Sequence, residues 1–253
     1  MQPEDGGFWH NYFKDVPLAE LAGKVGLDAG CGKGRYTRFT AAYLGSLVAL
    51  DGSDAVEAAV RNLADLDNVV VVRSDLRRPP FASESFGFIS CLGVLHHLPD
   101  PEAGFRALVG LLAEGGLLLL YIYSRPEQTG VRSFGLEVAS RLRKASVAIP
   151  HPVLRRLSAP VAAALYVGVV LPGDLGARLG ISRLAGLPLH TYRRKPLRSL
   201  WLDTFDRLSA PLERRYVWSE LEPWFAAAGM KVETVREDAG LYIVARKAST
   251  TGS

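Results

Sequence analysis

The chain is 253 residues long, 48% hydrophobic and 22% charged, with a formal net charge of +4 and a sequence pI near 9.1. That length suits one α/β domain with an insertion, and the mild basicity suits an anionic substrate or membrane surface while falling far short of a nucleic-acid-binding composition. Two cysteines exclude a disulfide scaffold, and the scattered histidines offer no metal-ligand spacing, so no metal is expected.

Residues 1–20 begin acidic and polar with no signal-peptide pattern, so a cytoplasmic location is expected. They gather Phe8, Trp9, Tyr12 and Phe13 into an aromatic segment, suited to packing on a sheet edge or folding over a ligand mouth. From Lys24 to Tyr123 apolar strand segments alternate with amphipathic helices, which predicts a doubly wound, parallel α/β sheet. The first strand runs into Asp28 and then into Gly30, Gly32 and Gly34. Glycines at a strand–helix turn bring bare backbone close to a ligand, and the turn's N–H groups with the helix N-terminus favour a negative or electron-rich group. The spacing is G-x-G-x-G. Arg35 stands where a dinucleotide fingerprint needs its third glycine, and Lys33 is followed by Gly34 where a P-loop needs Ser or Thr.

A helix is predicted over Arg35–Tyr43, and a second strand, Leu47 to Leu50, ends in Asp51, whose carboxylate can accept two hydrogen bonds from a diol. Asp51 also reads as a helix cap, as do Ser53 and Asp54 before a helix over Ser53–Leu63. The third strand, Val69 to Val72, leads to Ser74-Asp75-Leu76, and the fourth, Phe86 to Leu92, leads to Gly93-Val94-Leu95-His96-His97-Leu98-Pro99-Asp100-Pro101. A helix follows over Pro101–Leu112, with Asp100 as its N-cap and Gly115-Gly116 as its stop. The fifth strand, Leu117 to Tyr123, is apolar throughout until its tyrosines, as a strand covered on both faces should be.

Beyond Ser124-Arg125-Pro126 the pattern changes. Prolines at positions 150, 152, 160, 172, 188 and 196 predict a set of short helices. Within them Ala159–Leu171 is apolar yet shorter than the ~20 residues a membrane span needs, which leaves a buried lid helix or partial insertion into a membrane surface. Alternation resumes with a helix over Trp218–Ala228 and strands over Lys231–Glu237 and Leu241–Arg246, and the tail 248–253 is expected to be disordered.

Leu27-Asp28-Ala29-Gly30-Cys31-Gly32-Lys33-Gly34 resembles, residue for residue, the first motif of class I S-adenosylmethionine-dependent methyltransferases. The Gly93–Pro101 segment resembles the type 11 group, which includes ubiquinone and menaquinone biosynthesis enzymes. The likeness covers residues 20–124 and is weaker in the last thirty. It implies a Rossmann-like, mostly parallel seven-stranded sheet with an antiparallel last pair. A helical lid would lie between strand 5 and the last helix, giving a core of residues 1–124 and 211–247 and an insertion of 125–210. The first and fourth strands would be neighbours, with Cys31 and Cys91 reduced and buried.

The resemblance further implies S-adenosylmethionine as cofactor and S-adenosylhomocysteine as product, with Asp51 on the ribose hydroxyls and Asp75 near the adenine amino group. The cofactor-binding set is Asp28, Gly30, Cys31, Gly32, Gly34, Tyr36, Asp51, Gly52, Ser53, Ser74, Asp75, Leu76, Leu92, Gly93 and His97. Catalytic candidates are His97, His96 and Tyr123, because imidazole titrates near neutrality and the loop after the fourth strand borders the methyl group in that family. Tyr12, Tyr121, His190, Arg194 and Trp201 are the substrate-binding candidates, and Arg193 is a further cation for an anionic acceptor. The expected reaction is methyl transfer to a small, hydrophobic or lipid-like acceptor, first at oxygen. C-methylation of a prenylated or polyketide ring and a non-catalytic cofactor-binding module are the alternatives. No nucleic-acid partner is expected, since no Asn-Pro-Pro-Tyr-type motif occurs.

Overall fold

The computed structural model describes residues 4–125, 146, 148–193, 195–209, 212–238 and 240–249. The chain divides into two compact units, Met1–Arg125 with Arg214–Ser253, and Pro126–Glu213.

The first unit is built on seven strands: β1 (Val25–Ala29), β2 (Ser46–Asp51), β3 (Val69–Arg73), β4 (Phe86–Leu92), β5 (Leu112–Ile122), β6 (Met230–Glu237) and β7 (Leu241–Lys247). They lie in the order β3-β2-β1-β4-β5-β7-β6. β1 pairs parallel with β2 and β4, while β7 runs antiparallel to both β5 and β6. This is the doubly wound, mostly parallel sheet that the strand–helix alternation predicts. β5 shows why its apolar run is continuous: successive side chains point to opposite faces, and both faces are covered. Leu117 and Leu119 join Trp9, Phe13 and Phe88 on one side, where α1 (Glu4–Phe13) packs. Leu118, Leu120 and Ile122 join Phe105 of α4 (Pro101–Leu111) and Phe225 of α9 (Trp218–Ala227) on the other.

Local chemistry fixes these helices. The Asp100 carboxylate accepts from Ala103 N at 3.0 Å with Pro101 in the first turn, the N-cap the sequence predicts. The aromatic N-terminal segment packs on the sheet: the Trp9 ring stacks on Phe13 at 4.7 Å, and its Nε1 donates to Thr40 Oγ1 at 3.0 Å. The helix predicted over Arg35–Tyr43 is reduced to α2 (Thr37–Thr40) and one 3₁₀ turn (Ala41–Tyr43), while α3 (Ala55–Asn62) lies within its predicted span.

One boundary differs from the sequence reading. Gly115-Gly116 does not stop α4; the helix ends at Leu111 and β5 begins at once, with Leu112 opposite Phe86 and Leu117 opposite Phe88. The glycines lie in a bulge of the strand. At the other terminus Ala248 N donates to Gly229 O at 3.0 Å, tying in the start of the tail expected to be disordered; residues 250–253 lie outside the described residues.

In the second unit, α5 (His151–Leu165), a π turn (Tyr166–Val170) and α6 (Leu171–Leu179) form a continuous helix, followed by α7 (Ser182–Ala185) and α8 (Leu197–Ser209). The short helices expected from proline density are therefore corrected here. Pro152 sits in the first turn of α5, where no N–H is required, and Pro160 is carried inside the helix. Pro172 follows the widened π turn, in which Leu171 N reaches back to Tyr166 O. Five residues before Pro160, the Arg155 carbonyl accepts from Trp201 Nε1 and Ser158 Oγ, each at 2.9 Å, so α8 is tied to α5 along this stretch. The unit's own core gathers Ala162, Val170, Tyr192 and Leu200.

Candidate functional site

Where β1 leaves the sheet, Gly30 N and Cys31 N both donate to Leu50 O of β2, at 2.7 and 2.9 Å. Gly30 and Gly32 adopt φ of +86° and +53°, a region that costs other residues strain. Their roles differ. A Cβ on Gly30 would overlap the Val94 side chain, whereas one on Gly32 would meet nothing within 4 Å. Gly32 is thus the glycine that presents open backbone, and Gly30 makes room for the loop after β4. Gly34 packs under Leu63, where a Cβ would come within 2.6 Å of Cδ1.

Asp51, at the last position of β2, links the two turns. Its Oδ2 accepts from Gly32 N at 2.8 Å, and its Oδ1 accepts from Ser53 N at 2.8 Å and Ser53 Oγ at 2.6 Å. A carboxylate offers about four acceptor directions, so the Oδ2 side keeps capacity for a ligand hydroxyl. A cavity of about 320 Å³ opens here, lined by Gly30, Asp51, Gly52, Ser74, Asp75 and Leu76 of the predicted set. Leu50, Arg77, Val94, Leu98 and Pro99 complete it, all within a few residues of motifs the sequence singles out. Arg77 grips Asp75 with Nη2 to Oδ2 at 2.7 Å and Nε to Oδ1 at 3.0 Å, and this guanidinium holds the Asp75 carboxyl below its usual range.

The volume lies in the range of about 300–1,000 Å³ common for small-molecule sites, and the lining pairs aliphatic walls with carboxylates and open backbone. That donor set fits S-adenosylmethionine. Asp51 suits the ribose hydroxyls, and Leu76, Val94 and Leu98 suit the flat face of adenine; Gly32 does not line the cavity and contributes through its N–H on Asp51.

Other predicted residues stand behind this surface. Asp28 is buried, accepts from Thr37 Oγ1 at 2.5 Å and Ser90 Oγ at 3.3 Å, and is pushed up to about 6 by burial. It braces α2 against β4 from beneath the glycine turn. Cys31 and Cys91 are free and buried, and burial raises both thiols well above their usual value. Ser53 Oγ accepts from Ala55 N at 3.2 Å, so it serves the start of α3 as well as Asp51.

The two adjacent histidines have different fates. His96 is fully buried, stacks on Tyr123 at 3.9 Å, and has no hydrogen-bond partner for either ring nitrogen. Burial, with the nearby His97 and Arg215, pulls it down to about 2. Such an imidazole stays neutral and cannot take a proton near neutrality, so His96 is corrected from a base candidate to a packing residue. His97 is half-buried, with its ring 5.9 Å from Tyr123. Tyr12 and Tyr121 meet edge to face at 4.9 Å; Tyr36 lies 5.1 Å from Tyr12, and Tyr242 lies 4.6 Å from Tyr121. A Cβ on Gly93 would lie 3.9 Å from the Tyr121 ring, so this tyrosine wall borders the loop after β4, close to Leu92. Tyr36 and Tyr242 were not legible as part of that wall, because four separate segments supply it.

The remaining candidates belong to the second unit. His190 is exposed on a 3₁₀ turn, and Trp201 is pinned to α5 by its Nε1 bonds to Arg155 O and Ser158 Oγ, at 2.9 and 3.0 Å. Arg193 Nη2 donates to the Ala185 and Leu187 carbonyls, at 2.6 and 3.3 Å, which ties one edge of its guanidinium to the backbone of its own unit. Arg194 lies outside the described residues. No group of three or more potential metal ligands occurs among the described residues.

Comparison with known proteins gives the same picture. Residues 27–120 match the family described as "Methyltransferase domain", of type 11. The ubiquinone biosynthesis O-methyltransferase of Xanthomonas euvesicatoria pv. vesicatoria is 34% identical over 128 residues, 49% of this chain and 53% of that one. The tRNA (carboxymethyluridine(34)-5-O)-methyltransferase of Schizosaccharomyces pombe is 28% identical over 126 residues, 49% of this chain and 50% of that one. The chain therefore spans about half the length of these curated relatives. Among solved structures, a SAM-dependent methyltransferase from Aquifex aeolicus shares the fold with TM-score 0.56 at 15% identity, covering 98% of this chain and 94% of that one. The YcgJ protein of Bacillus subtilis does so with TM-score 0.59 at 14% identity, covering 95% and 99%.

Proposed function

We propose that this chain, a member of the class I S-adenosylmethionine-dependent methyltransferases of type 11, moves a methyl group to an oxygen of a small, largely apolar acceptor. The observation that carries the reading is Asp51: a carboxylate at a strand end, fastened to the glycine turn by Gly32 N at 2.8 Å and lining the cavity. The cofactor, when bound, supplies a methyl on a positively charged sulfur, so the protein's task is positioning and proton removal. Asp51 and Asp75 orient the nucleoside. Buried Asp28 keeps the turn in place through Thr37, and Val94 closes the floor above Gly30.

On the acceptor side, Tyr121, Tyr12 and Tyr123 form an aromatic wall suited to a flat or hydrophobic molecule. His97 is the general base in this reading, since it stands in the loop bordering that wall and is not sealed in as His96 is. Tyr123 positions it. Two free, buried thiols suit the reducing cytoplasm.

Isothermal titration with S-adenosylhomocysteine tests the cofactor site. Asp51→Ala is expected to weaken binding roughly 10- to 100-fold, the worth of hydrogen bonds to a charged group, and Gly32→Val to abolish it through strain at positive φ. Unchanged affinity in both variants would sink the reading. Methyl transfer from labelled cofactor to a panel of phenols and quinols tests the acceptor. His97→Ala should lower kcat about 10²- to 10⁴-fold while leaving cofactor affinity intact, and label recovered on ring carbon would shift the assignment to C-methylation.

A further inference from the structure

We propose that the second unit docks on an anionic lipid surface through one face of the helix His151–Leu179. The inference stands on that unit alone and does not depend on the methyltransferase reading. The buried face of this helix carries Leu154, Ser158, Ala162, Val170, Gly173 and Gly176. Its outer face is aliphatic too: Val153, Leu157 and Val161 follow at steps of four, and Leu171, Leu175 and Leu179 repeat the pattern, each 43% or more exposed. Val167, between the two sets, is 64% exposed. A helix that is apolar all round belongs in a core or in lipid, yet only 22% of this helix's most apolar stretch is buried.

Charge selects the occupant. Exposed Arg155 and Arg156 lie near one end of the stripe, and exposed Arg178 and Arg183 near the other. The one acid among described residues 148–193, Asp174, is paired with Arg178 at 2.6 Å. Over the whole unit, residues 126–213 hold thirteen Lys and Arg against six Asp and Glu, while the rest of the chain holds seventeen against twenty. A second copy laid along the stripe, in either direction, would set arginines against arginines. Nucleic acid would reward the arginines but leave the aliphatic row unused. A bilayer of anionic headgroups takes both, with leucines at the acyl boundary and arginines among phosphates. At 29 residues the helix is long and apolar enough to cross a membrane. Its opposite face is committed to its own unit through Trp201 and Leu200, so it lies flat at the interface and does not span.

Flotation of the full chain with vesicles tests this, comparing phosphatidylcholine alone with phosphatidylcholine–phosphatidylglycerol mixtures. Binding is expected to the mixed vesicles. Leu157→Asp with Leu175→Asp should reduce it at least ~10-fold, and Arg155→Gln with Arg156→Gln by about fivefold per arginine on mixed vesicles only. Circular dichroism confirms that the helix persists. If the double aspartate variant loses helicity, Val167→Asp alone, at the most exposed position of the row, asks the same question. The proposal is overturned by absence of flotation with either vesicle, by unchanged flotation of the aspartate variants, or by a dimer in sedimentation that Leu157→Asp dissolves. Titration with S-adenosylhomocysteine should be unaltered in every one of these variants, so failure here leaves the cofactor reading untouched.

Discussion

The two units use the same aliphatic residues in opposite ways. In the sheet unit the leucines of β5 are sealed between two helical layers, with Leu117, Leu119 and Leu120 at 0% exposure. In the helical unit Leu157, Leu175 and Leu179 stand 51%, 53% and 63% exposed. The first pattern gives cohesion, because burial removes apolar area from water and tight packing adds dispersion. The second adds little to folding, so a different demand must retain it. Charge divides along the same line, with the excess of Lys and Arg confined to residues 126–213. Stability and surface chemistry are therefore separable in this chain, and each can be perturbed without the other.

The largest effect should come from the sealed side. Leu120→Ala is expected to cost about 2–5 kcal/mol, the lost transfer term plus a cavity. Gly30→Ala should fall in the same range, since positive φ and overlap with Val94 each contribute about 1–3 kcal/mol. Urea denaturation monitored by circular dichroism measures both. Comparable costs for Leu157→Ala would erase the distinction between the units.

That division was partly legible in the sequence. Strand ends and the acids that follow them, Asp51 and Asp75, announce themselves because the apolar run stops where a polar residue lines the cavity. The layers of β5 were legible as an unbroken apolar run. Gly115-Gly116 misled because glycine marks a bulge as readily as a helix stop, and only the pairing of Leu112 with Phe86, 26 positions away, decides between them. Pro160 misled for a similar reason: whether a proline ends a helix depends on the packing around it, and here α8 holds α5 through Trp201 Nε1 on Arg155 O. His96 and His97 are indistinguishable as letters. Burial against Tyr123 separates them, and burial is a tertiary property.

A second effect, of intermediate size, reads out that burial. Asp28 has a folded value of about 6 against an ordinary 3.8, so between these values the folded state holds a proton that the unfolded chain has lost. Stability from this group is present at low pH and falls as pH rises, by about 1.4 kcal/mol per unit. His96 runs the other way. Its folded value is near 2 against an ordinary 6.5, so across that window only the unfolded chain is protonated, and stability rises with pH at the same slope. The two slopes oppose each other between about pH 4 and pH 6. Asp28→Asn should unmask a rise in stability with pH across that window, and His96→Phe should unmask a fall. Parallel profiles for the two variants would show that the glycine turn and the loop after β4 are wetter than their packing dictates.

A third, smaller effect isolates a single cap. Asp100→Ala removes the carboxylate that accepts from Ala103 N at 3.0 Å and should cost about 1 kcal/mol. Asp100→Asn should restore most of it, since the amide oxygen accepts the same bond. Equal losses in both variants would assign the effect to charge near the helix terminus.

The smallest effect is the most discriminating. Leu175→Ser and Leu157→Ser should cost no more than about 1 kcal/mol, because each side chain is already about half exposed and gives up only part of the area a buried leucine would lose. If the outer row belonged to a core completed within the chain, each would cost several times that. A loss that small, measured together with weakened vesicle flotation, would show that residues which look like core in a sequence are held at the surface for what they touch there. A loss of 2 kcal/mol or more, as for a buried leucine, would instead mean that this face is covered by the chain itself in solution, and the contrast between the two units would reduce to one of charge.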